Sequence, residues 1–398
     1  MTKPTHSSTA TSPFWFQLSH LNSGFLAVLV GYSSSVAIIF QAALAAGATP
    51  EQLNSWMWAL GIGMGLSCIV PSLIFKAPIL TAWSTPGAAL LATSLQGLSM
   101  GEAIGTFIFC SSLITLVGLT GGFHRLLKLI PPHLASAMLA GILLNFGLGL
   151  FTAMQTQWAM CLSMLAAFLI GRLIAPRYAV ITALLVGMVW ATLTQQVQLS
   201  FLNWSPAVPV FMKPELNINA LLSVGLPLFI VTMSSQNIPG LAVLRANGYQ
   251  TPVNPLITGT GFIGVILAPF GGFSFNLAAI TAALCMTPDA DPDPTQRYKA
   301  AVWAGLFYIL IGIFGATVVG LFSALPAELI AAIAGIALLS TISASLHTAI
   351  NEETGREAAL ITFLCTASGL SLFSIGSAFW GLLLGLILHY LKKPSQHS

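Results

Sequence analysis

The chain is a succession of apolar runs, each close to the roughly 20 residues that an α-helix needs to cross a bilayer. Short breaks of Pro, Gly or charged residues separate the runs. Charged residues make up 6% of the chain and hydrophobic residues 56%, whereas about a quarter of a soluble domain is charged. Because such a chain cannot cover a water-facing surface, the sequence predicts an all-α polytopic membrane protein without a soluble domain.

The polar breaks divide the chain into fourteen candidate transmembrane segments, seven in each half. The first seven are 21–47, 53–75, 79–97, 103–122, 134–154, 158–174 and 178–193. The second seven are 218–244, 255–269, 270–286, 300–325, 328–347, 358–373 and 377–391.

The thirteen Lys and Arg residues test this count, because cytoplasmic loops of membrane proteins are enriched in both. With fourteen crossings and a cytoplasmic N-terminus, every one of them except Lys213 falls on the cytoplasmic side. The pattern predicts a multi-pass plasma membrane protein, of the bacterial inner-membrane kind, with both termini in the cytoplasm.

An odd number of crossings per half makes the second half enter the membrane from the opposite side, which is the condition for an inverted repeat. The runs at 132–141 and 326–335 share Pro, Ala and Gly at matching positions, and each opens a segment. We therefore predict 7+7 inverted repeats. The predicted regions are a cytoplasmic tail at 1–20, a first repeat at 21–200, an external linker at 201–217, a second repeat at 218–392 and a cytoplasmic tail at 393–398.

The third and tenth segments are each interrupted near mid-membrane. In the third, Ser84 or Thr85 precedes Pro86, which is the order of an N-cap and a first helical turn. In the tenth, breaker residues precede Ser274, which we interpret as a second cap before a helix of small residues. Both segments are predicted to contain half-helices that start in mid-membrane after a stretch of extended chain.

Two helix N-termini that face each other would present free backbone N–H groups and partial positive charge to an anion such as a carboxylate. The alternative interpretation is a pair of proline kinks that neighbouring helices accommodate. Polar groups of segments one and eight could complete the site, and aromatic side chains could clamp a ring. The candidate substrate-binding residues are Tyr32, Ser33, Trp83, Ser84, Thr85, Gly87, Gln236, Asn237, Phe273, Ser274, Phe275 and Asn276.

No carboxylate occurs in the middle of any candidate segment. An organic cation would need a buried acid as its partner, so the sequence favours a neutral or anionic substrate. The five cysteines stand singly in apolar runs, without the spacing of a zinc or redox site. We expect no metal, no cofactor and no nucleic-acid partner.

Three stretches make the sequence similar to the benzoate/proton symporter (BenE) family: LTAWSTPGAALL at 80–91, VTMSSQNIPG at 231–240, and ASGL with GSAFWG within 367–381. The resemblance covers essentially the whole chain beyond the N-terminal tail. It implies a secondary transporter that takes up benzoate or a similar small aromatic carboxylate with protons, in contact with membrane lipid.

That family is similar in fold to the uracil/xanthine permeases and the sulfate-type anion transporters. The similarity implies a core domain of segments one to four and eight to eleven, a gate domain of the others, and elevator-like motion between them. In the nucleobase permeases, segments eight and ten each carry a glutamate that contacts the ring. Those positions are here Gln236 and Phe275, beside Asn276, which disfavours nucleobases and leaves the coupling proton without an inherited carrier.

Other functions stay open at this point. The chain could be a permease for a neutral heterocycle such as a nucleobase, or for another anion, or it could be a channel-like anion conductor. An enzyme is not expected, and the metalloprotease motif H-E-x-x-H is absent. The sequence leaves open which aromatic acid is carried and whether the protein is a homodimer.

Overall fold

A computed structural model describes residues 17–122, 130–197 and 205–392. Helix α1 begins at Leu18, so residues 18–20 belong to it rather than to the predicted tail. The other predicted tail residues up to 16, the predicted tail 393–398 and linker residues 201–204 lie outside the described residues, as do the basic residues Lys3, Arg125, Lys128 and Lys393 that support the predicted orientation.

The first half of the chain forms α1 (Leu18–Ala45), α2 (Pro50–Phe75), β1 (Thr81–Trp83), α3 (Thr85–Ser94), α4 (Met100–Thr120), α5 (Pro132–Ile174) and α6 (Ala179–Leu193). The second half forms α7 (Ile218–Ala246), α8 (Val253–Leu267), β2 (Phe275–Leu277), α9 (Ile280–Leu284), α10 (Tyr298–Ile313), α11 (Gly315–Ser323), α12 (Ala327–Asn351), α13 (Arg356–Ala367) and α14 (Ser377–Lys392).

Within the described ranges, seven helices are long and apolar enough to cross a membrane, or nine if each of two bent pairs is one span. One bent pair is α10 and α11, which meet at 67°. The polytopic helical membrane protein is thereby confirmed, while the count of fourteen crossings stays a prediction.

Helix α5 combines the fifth and sixth predicted segments. Its 43 residues would extend about 65 Å at 1.5 Å per residue, roughly twice the hydrocarbon thickness of about 30 Å. Gln157 interrupts it with non-helical angles, φ −129° and ψ 51°. Two helices joined at Gln157 therefore account for its length.

The helices pack into two groups. The first bundle comprises α1–α4 and α7–α11, in which α2 packs on α10 and α4 packs on α8. The second bundle comprises α5, α6 and α12–α14, in which α5 packs on α12 and α13 packs on α14. Contacts of α1, α3 and α7 with α5, α6 and α12 join the bundles.

Glycines allow the closest helix contacts of the first bundle. A Cβ added to Gly61 of α2 would lie 2.4 Å from the Cα of Gly312 in α10. A Cβ added to Gly261 of α8 would lie 2.6 Å from the backbone nitrogen of Thr115 in α4. Small residues at such contacts let backbones approach and pack without a hydrophobic driving force between helices.

The described part of the predicted linker, 205–217, holds several helix ends together. Val210 donates its N–H to the hydroxyl of Ser55 in α2, at 2.9 Å, and that hydroxyl donates to the carbonyl of Phe270, also at 2.9 Å. Glu215 donates its N–H to the carbonyl of Gly101 in α4, at 2.8 Å. The segment is thus a strap across the ends of α2, α4 and α8.

Ser99, the N-cap residue of α4, lies in a run GLSMG at 97–101 that has the spacing G-x-S-x-G of a hydrolase nucleophile. Its hydroxyl accepts the N–H of Glu102 at 3.1 Å and donates to Glu215 at 3.0 Å. The residue follows a loop rather than a strand, so it lacks the strand–turn–helix setting of a nucleophile and serves as a helix cap.

A polar cluster fixes the loop between α9 and α10. His20 of α1 lies with its Nε2 2.7 Å from Oδ2 of Asp291, and both side chains are buried. Arg297 donates to the carbonyls of Asp291 and Met286, at 2.7 Å each. The cluster bonds the chain after α9 to the start of α1. Because β2 precedes α9, the short helix is fixed on both sides.

We predict that Gly261→Ala lowers the melting temperature of the detergent-solubilised protein, because the added methyl group meets the backbone of α4. Gly259→Ala is the matched control on the same helix, since a Cβ there meets nothing within 4 Å. The control should melt at or slightly above the wild-type temperature, because alanine favours the helix by about 1 kcal/mol over glycine. Equal melting temperatures for the two variants would contradict the α4–α8 packing described here.

Candidate functional site

The two broken segments meet as a short antiparallel ribbon of β1 and β2. Two more backbone bonds extend it: Ser84 donates its N–H to the carbonyl of Ser274 at 3.2 Å, and Ala278 donates to Leu80 at 2.9 Å. Each break thus satisfies backbone groups of the other, as extended chain at membrane depth requires. The paired residues are Thr81 with Leu277, Ala82 with Asn276, and Trp83 with Phe275.

Helix α3 begins directly after β1, and the predicted cap is confirmed. The hydroxyl of Ser84 accepts the N–H of Gly87 at 3.0 Å, and Pro86 occupies the first turn. Pro86 has no N–H, and the N–H of Gly87 is bonded to the cap. Among the described residues, this leaves the N–H of Thr85 as the first-turn donor of α3 that is not used by the cap or by the helix. Helix α3 therefore offers fewer free amides than a helix start usually does.

The second predicted cap, Ser274, is wrong. Ser274 precedes strand β2, and its hydroxyl lies 2.7 Å from the hydroxyl of Thr232 in α7. Helix α9 begins only at Ile280, has no side-chain cap and is five residues long. The reason is the ribbon. Residues 275–277 pair with β1, so the position that follows β2, as Ser84 follows β1, is Ala278, and Ser274 lies before the strand.

A cavity of about 890 Å³ lies between the two bundles. The first bundle contributes the ribbon and the starts of α3 and α9, and the second contributes α5, α6 and α12. Its volume is within the range of roughly 300–1,000 Å³ that is typical of small-molecule sites. The cavity reaches from buried residues such as Trp83 to exposed ones such as Arg172 and Thr348.

Four predicted site residues line this cavity: Ser33, Trp83, Thr85 and Gln236. They come from α1, β1, α3 and α7, so four separate elements contribute to this cavity wall. Ser33, Thr85 and Gln236 are partly exposed in the cavity wall, while Trp83 is 3% exposed. The structure brings these four together, and their role in binding remains a prediction.

Helix α7 widens into a π-turn at 233–237, beside the cavity. Such turns hold one residue more than an α-turn and are often found at functional sites. Here Met233, Ser234, Ser235 and Gln236, four consecutive residues, all line the cavity. The following Pro239 favours the distortion, because a proline lacks the N–H that would bond the carbonyl four residues earlier.

A hydrogen bond and a ring contact fix the orientation of Trp83. Its indole Nε1–H donates to the hydroxyl of Ser35 at 2.7 Å, and that hydroxyl donates to the carbonyl of Gly31 at 2.8 Å. The ring of Tyr32 meets the indole edge-on, with 4.6 Å between centroids. Tyr32 is therefore a support for Trp83 rather than part of the cavity lining.

Two predicted residues, both aromatic, pack inside the first bundle instead of lining the cavity. The ring of Phe273 packs against Trp56 and Phe107, at 6.2 and 5.9 Å between centroids. Phe275, which points to the same face of the ribbon as Trp83, fills the space left by Gly63, where an added Cβ would lie 2.2 Å from its ring. Both rings are fully enclosed, so neither can stack on a substrate.

Asn237 and Asn276 are fully buried beside the ribbon. Asn237 accepts the N–H of Leu277 through Oδ1 at 3.0 Å. Asn276 donates weakly to the carbonyl of Leu277 at 3.2 Å, and its Oδ1 has no partner among the described residues. Asn276 is paired with Ala82, which lines the cavity, but Asn276 itself does not line it.

Several lining residues were missed by the sequence analysis. Tyr308 of α10 and Thr281 of α9 complete the wall of the first bundle. Helix α12 contributes hydroxyl groups at Thr341, Ser345 and Thr348, a spacing of four and three residues that marks one helix face and could have revealed it. Arg172 also lines the cavity, although its position in the sequence indicated only topology.

The lining carries an uneven charge. Within the described residues, no Asp, Glu, Lys or His side chain lines the cavity, whereas Arg172 and Arg177 do. The wall around Gln236 and Thr85 is polar and neutral, so an anion entering the cavity would meet donors and positive charge but no repelling carboxylate.

Comparison with known proteins adds to these observations. The family model described as benzoate membrane transport protein matches residues 15–391. The inner membrane protein YdcO of Escherichia coli is 52% identical over 92% of this chain and 93% of its own length. The benzoate membrane transport protein of Acinetobacter baylyi is 42% identical over 95% of this chain and 96% of its own length.

Solved structures share the fold at much lower identity. SLC26A9 matches 95% of this chain with a TM-score of 0.62 at 12% identity, and the chain spans 66% of its length. The transmembrane domain of the cyanobacterial bicarbonate transporter BicA matches 94% of this chain and 97% of its own length, with a TM-score of 0.59 at 12% identity. These likenesses show the fold alone.

We predict that Asn237→Ala destabilises the protein, because it leaves the buried N–H of Leu277 without its acceptor. An unsatisfied buried donor costs about 1–3 kcal/mol, which thermal unfolding in detergent would register as a lower melting temperature. Asn247→Ala, at the exposed C-terminal end of α7, is the control and should melt close to the wild type. An Asn237→Ala variant as stable as the control would show that this bond does not hold β2.

Proposed function

Because the chain belongs to the family of benzoate membrane transport proteins, we propose that it imports benzoate or a related aromatic carboxylate together with protons. The relatives are named as membrane transport proteins, so the chain is a transporter and not an enzyme. We propose the aromatic carboxylate as the substrate, the coupling to protons and the location in a bacterial inner membrane. The observation that supports the aromatic carboxylate is the cavity at the ribbon, whose lining joins neutral donors, apolar walls and two arginines.

We place the carboxylate between Thr85 and Gln236. Thr85 offers its hydroxyl and a first-turn N–H at the positive end of α3, and Gln236 offers amide N–H donors from α7. Both side chains line the cavity and are partly exposed to it. Two or three charge-assisted hydrogen bonds of this kind would orient the substrate without a buried cation.

The ring of the substrate would lie against apolar neighbours of these donors. Pro86, Ile230 and Met233 line the cavity in the first bundle, and Leu139 lines it in the second. Such contacts bury apolar area on both sides of a flat ring. Trp83 contributes an indole edge whose orientation is fixed by Ser35.

The packing supports the proposed inverted repeat of seven plus seven crossings. In such a repeat, α2 and α8 are equivalent, and so are α4 and α10. The operation that relates the two repeats therefore converts the pair α2–α10 into the pair α8–α4, and both are close pairs of the first bundle. The ribbon pairs β1 with its own equivalent, β2, in antiparallel fashion, as an inversion requires.

The two bundles correspond to the core and gate domains that the resemblance implies. We propose that the first bundle moves as an elevator against the second, and that the cavity between them opens to the cytoplasm in this state. The arginines at its exposed end favour that side, given the positive-inside rule. Both termini would then be cytoplasmic, and the exposed apolar faces of α5 and α6 would contact lipid or, in a homodimer, a second copy.

A second candidate is a permease for another anion, which the shared fold of SLC26A9 and BicA favours. A permease for a neutral heterocycle has less support, since the lining holds arginines and no acid. Competition separates the three: bicarbonate, sulfate or uracil should displace labelled benzoate poorly if the carboxylate proposal is right. Displacement by one of them at lower concentration than unlabelled benzoate would replace it.

We predict that Gln236→Ala weakens benzoate binding about tenfold to a hundredfold, the effect of losing a hydrogen bond to a charged group of about 1.5–3 kcal/mol. Gln236→Glu should weaken it further, because it sets a negative charge beside the carboxylate. Ligand-induced thermal stabilisation of the purified protein would measure both, with Asn247→Ala as control. Wild-type affinity in Gln236→Ala would remove this residue from the site.

We predict that proteoliposomes accumulate labelled benzoate above equilibrium when an inward proton gradient is imposed, and that a protonophore abolishes the accumulation. Benzoic acid crosses lipid by itself, so protein-free liposomes and liposomes with Gln236→Ala must be measured beside them. The protein-dependent part is the relevant quantity. Uptake that follows membrane potential and never exceeds equilibrium would instead identify a channel-like conductor.

A further inference from the structure

The exposed end of the cavity carries two arginines that the proposed substrate site does not use. Arg172 lies in the last turn of α5, and Arg177 lies in the 3₁₀ turn Pro176–Tyr178 that follows. The chain leaves the helix at Ala175, with φ −146° and ψ 78°, and this bend returns it along the cavity wall. Both arginines are exposed and line the same cavity; we call them the arginine rim.

Neither arginine is neutralised by an acid. Among the described residues, Arg356 is the one Lys or Arg side chain within 4.0 Å of a carboxylate, that of Glu353. Asp289 shares a smaller neighbouring cavity with Arg177, but the two are not within that distance of each other. The rim therefore keeps a net positive charge at the opening of a cavity whose described lining contains no acid.

Each guanidinium is stacked on a ring. The Cζ of Arg172 lies 5.8 Å from the centroid of Phe168, and the Cζ of Arg177 lies 5.0 Å from that of Tyr178. A guanidinium over a ring face is held in orientation and keeps its in-plane N–H groups free for a carboxylate. Phe168 also lines the cavity, so an aromatic acid bound at the rim would meet apolar surface beside the charge.

Arginines at helix ends also bind lipid phosphate, and position in the molecule separates the two uses. An arginine that serves lipid points away from the protein, whereas both of these line an internal cavity together with Pro176 and Val180. Low-dielectric walls focus the field of such charges into the opening. The rim is thus placed to act on an anion in the cavity.

We propose that Arg172 and Arg177 form a second carboxylate-binding subsite at the opening of the cavity, which attracts the aromatic carboxylate and speeds its exchange between water on that side and the site at Thr85 and Gln236. The inference rests on the proposed function for the identity of the anion. It goes beyond that function by separating exchange with water at the rim from binding at the ribbon.

Stopped-flow tryptophan fluorescence tests the proposal, with Trp83 in the cavity wall as a reporter of benzoate association in detergent. The wild-type association rate should fall at least tenfold as ionic strength rises from about 0.01 M to about 1 M, because the Debye length shrinks from about 30 Å to about 3 Å. The variant R172Q/R177Q should associate about tenfold more slowly at low salt and should depend little on salt.

Two further variants make the result specific. R172K/R177K keeps the charge and should retain most of the wild-type salt dependence. R245Q/K213Q also removes two positive charges, but both residues are exposed and neither lines the cavity; it should behave as the wild type. Melting temperatures of all variants establish that each is folded.

The outcomes separate this inference from the proposed function. Benzoate that fails to bind to the wild type would overturn the proposed function. Benzoate that binds R172Q/R177Q with the wild-type rate and salt dependence would overturn the arginine rim alone. A salt dependence that arises only in nanodiscs with anionic lipid, and not in detergent, would assign the arginines to lipid and would also overturn it.

Discussion

Two stretches of extended backbone cross at the centre of the first bundle, and each provides the hydrogen bonds that the other lacks. An unsatisfied backbone group in hydrocarbon costs several kcal/mol, so neither break would be stable alone. Pairing of β1 with β2 removes that cost and fixes where α3 and α9 can begin. The remaining features of the site follow from this crossing, since the cavity wall, the cap at Ser84 and the orientation of Trp83 all depend on it.

The glycines and amides around the crossing serve the same pairing. Gly63 leaves room for Phe275, and Gly271 lies so close to Trp56 that an added Cβ would overlap the indole. Asn237 fixes Leu277 from the side of α7. Residues that a sequence search would assign to ligand binding are therefore needed to hold two strands of three residues in a membrane.

The cavity combines two electrostatic environments. At the ribbon, neutral donors such as Gln236 and Thr85 face apolar walls, so an anion can be held without a permanent charge pair that would be slow to separate. At the rim, Arg172 and Arg177 provide charge where water can still screen it. A transporter must bind its substrate and also release it. Under the proposed function, the rim attracts the anion over a distance, and the groups at the ribbon orient it at short range.

The sequence by itself determined the features that depend on local chemistry. Apolar runs predicted the ends of most helices to within a few residues, although the helix of segment 358–373 ends early, at Ala367. The order Ser84, Thr85, Pro86 correctly predicted where α3 begins, because a cap and a first-turn proline act within one turn. Resemblance of three stretches indicated the family, which the family model then showed.

Tertiary structure decided everything that depends on register between distant segments. Ser274 has the sequence of a helix cap, yet it precedes a strand, because the partner of 275–277 lies in β1 and no local signal encodes that pairing. Phe273 and Phe275 resemble aromatic clamps, yet Phe273 packs against Trp56 and Phe107, and Phe275 fills the space left by Gly63. Tyr308 and the hydroxyl face of α12 reach the cavity only because two bundles meet there. Side-chain type and helix period can be read along a chain, but which residues share a cavity is set by contacts between segments nearly two hundred residues apart.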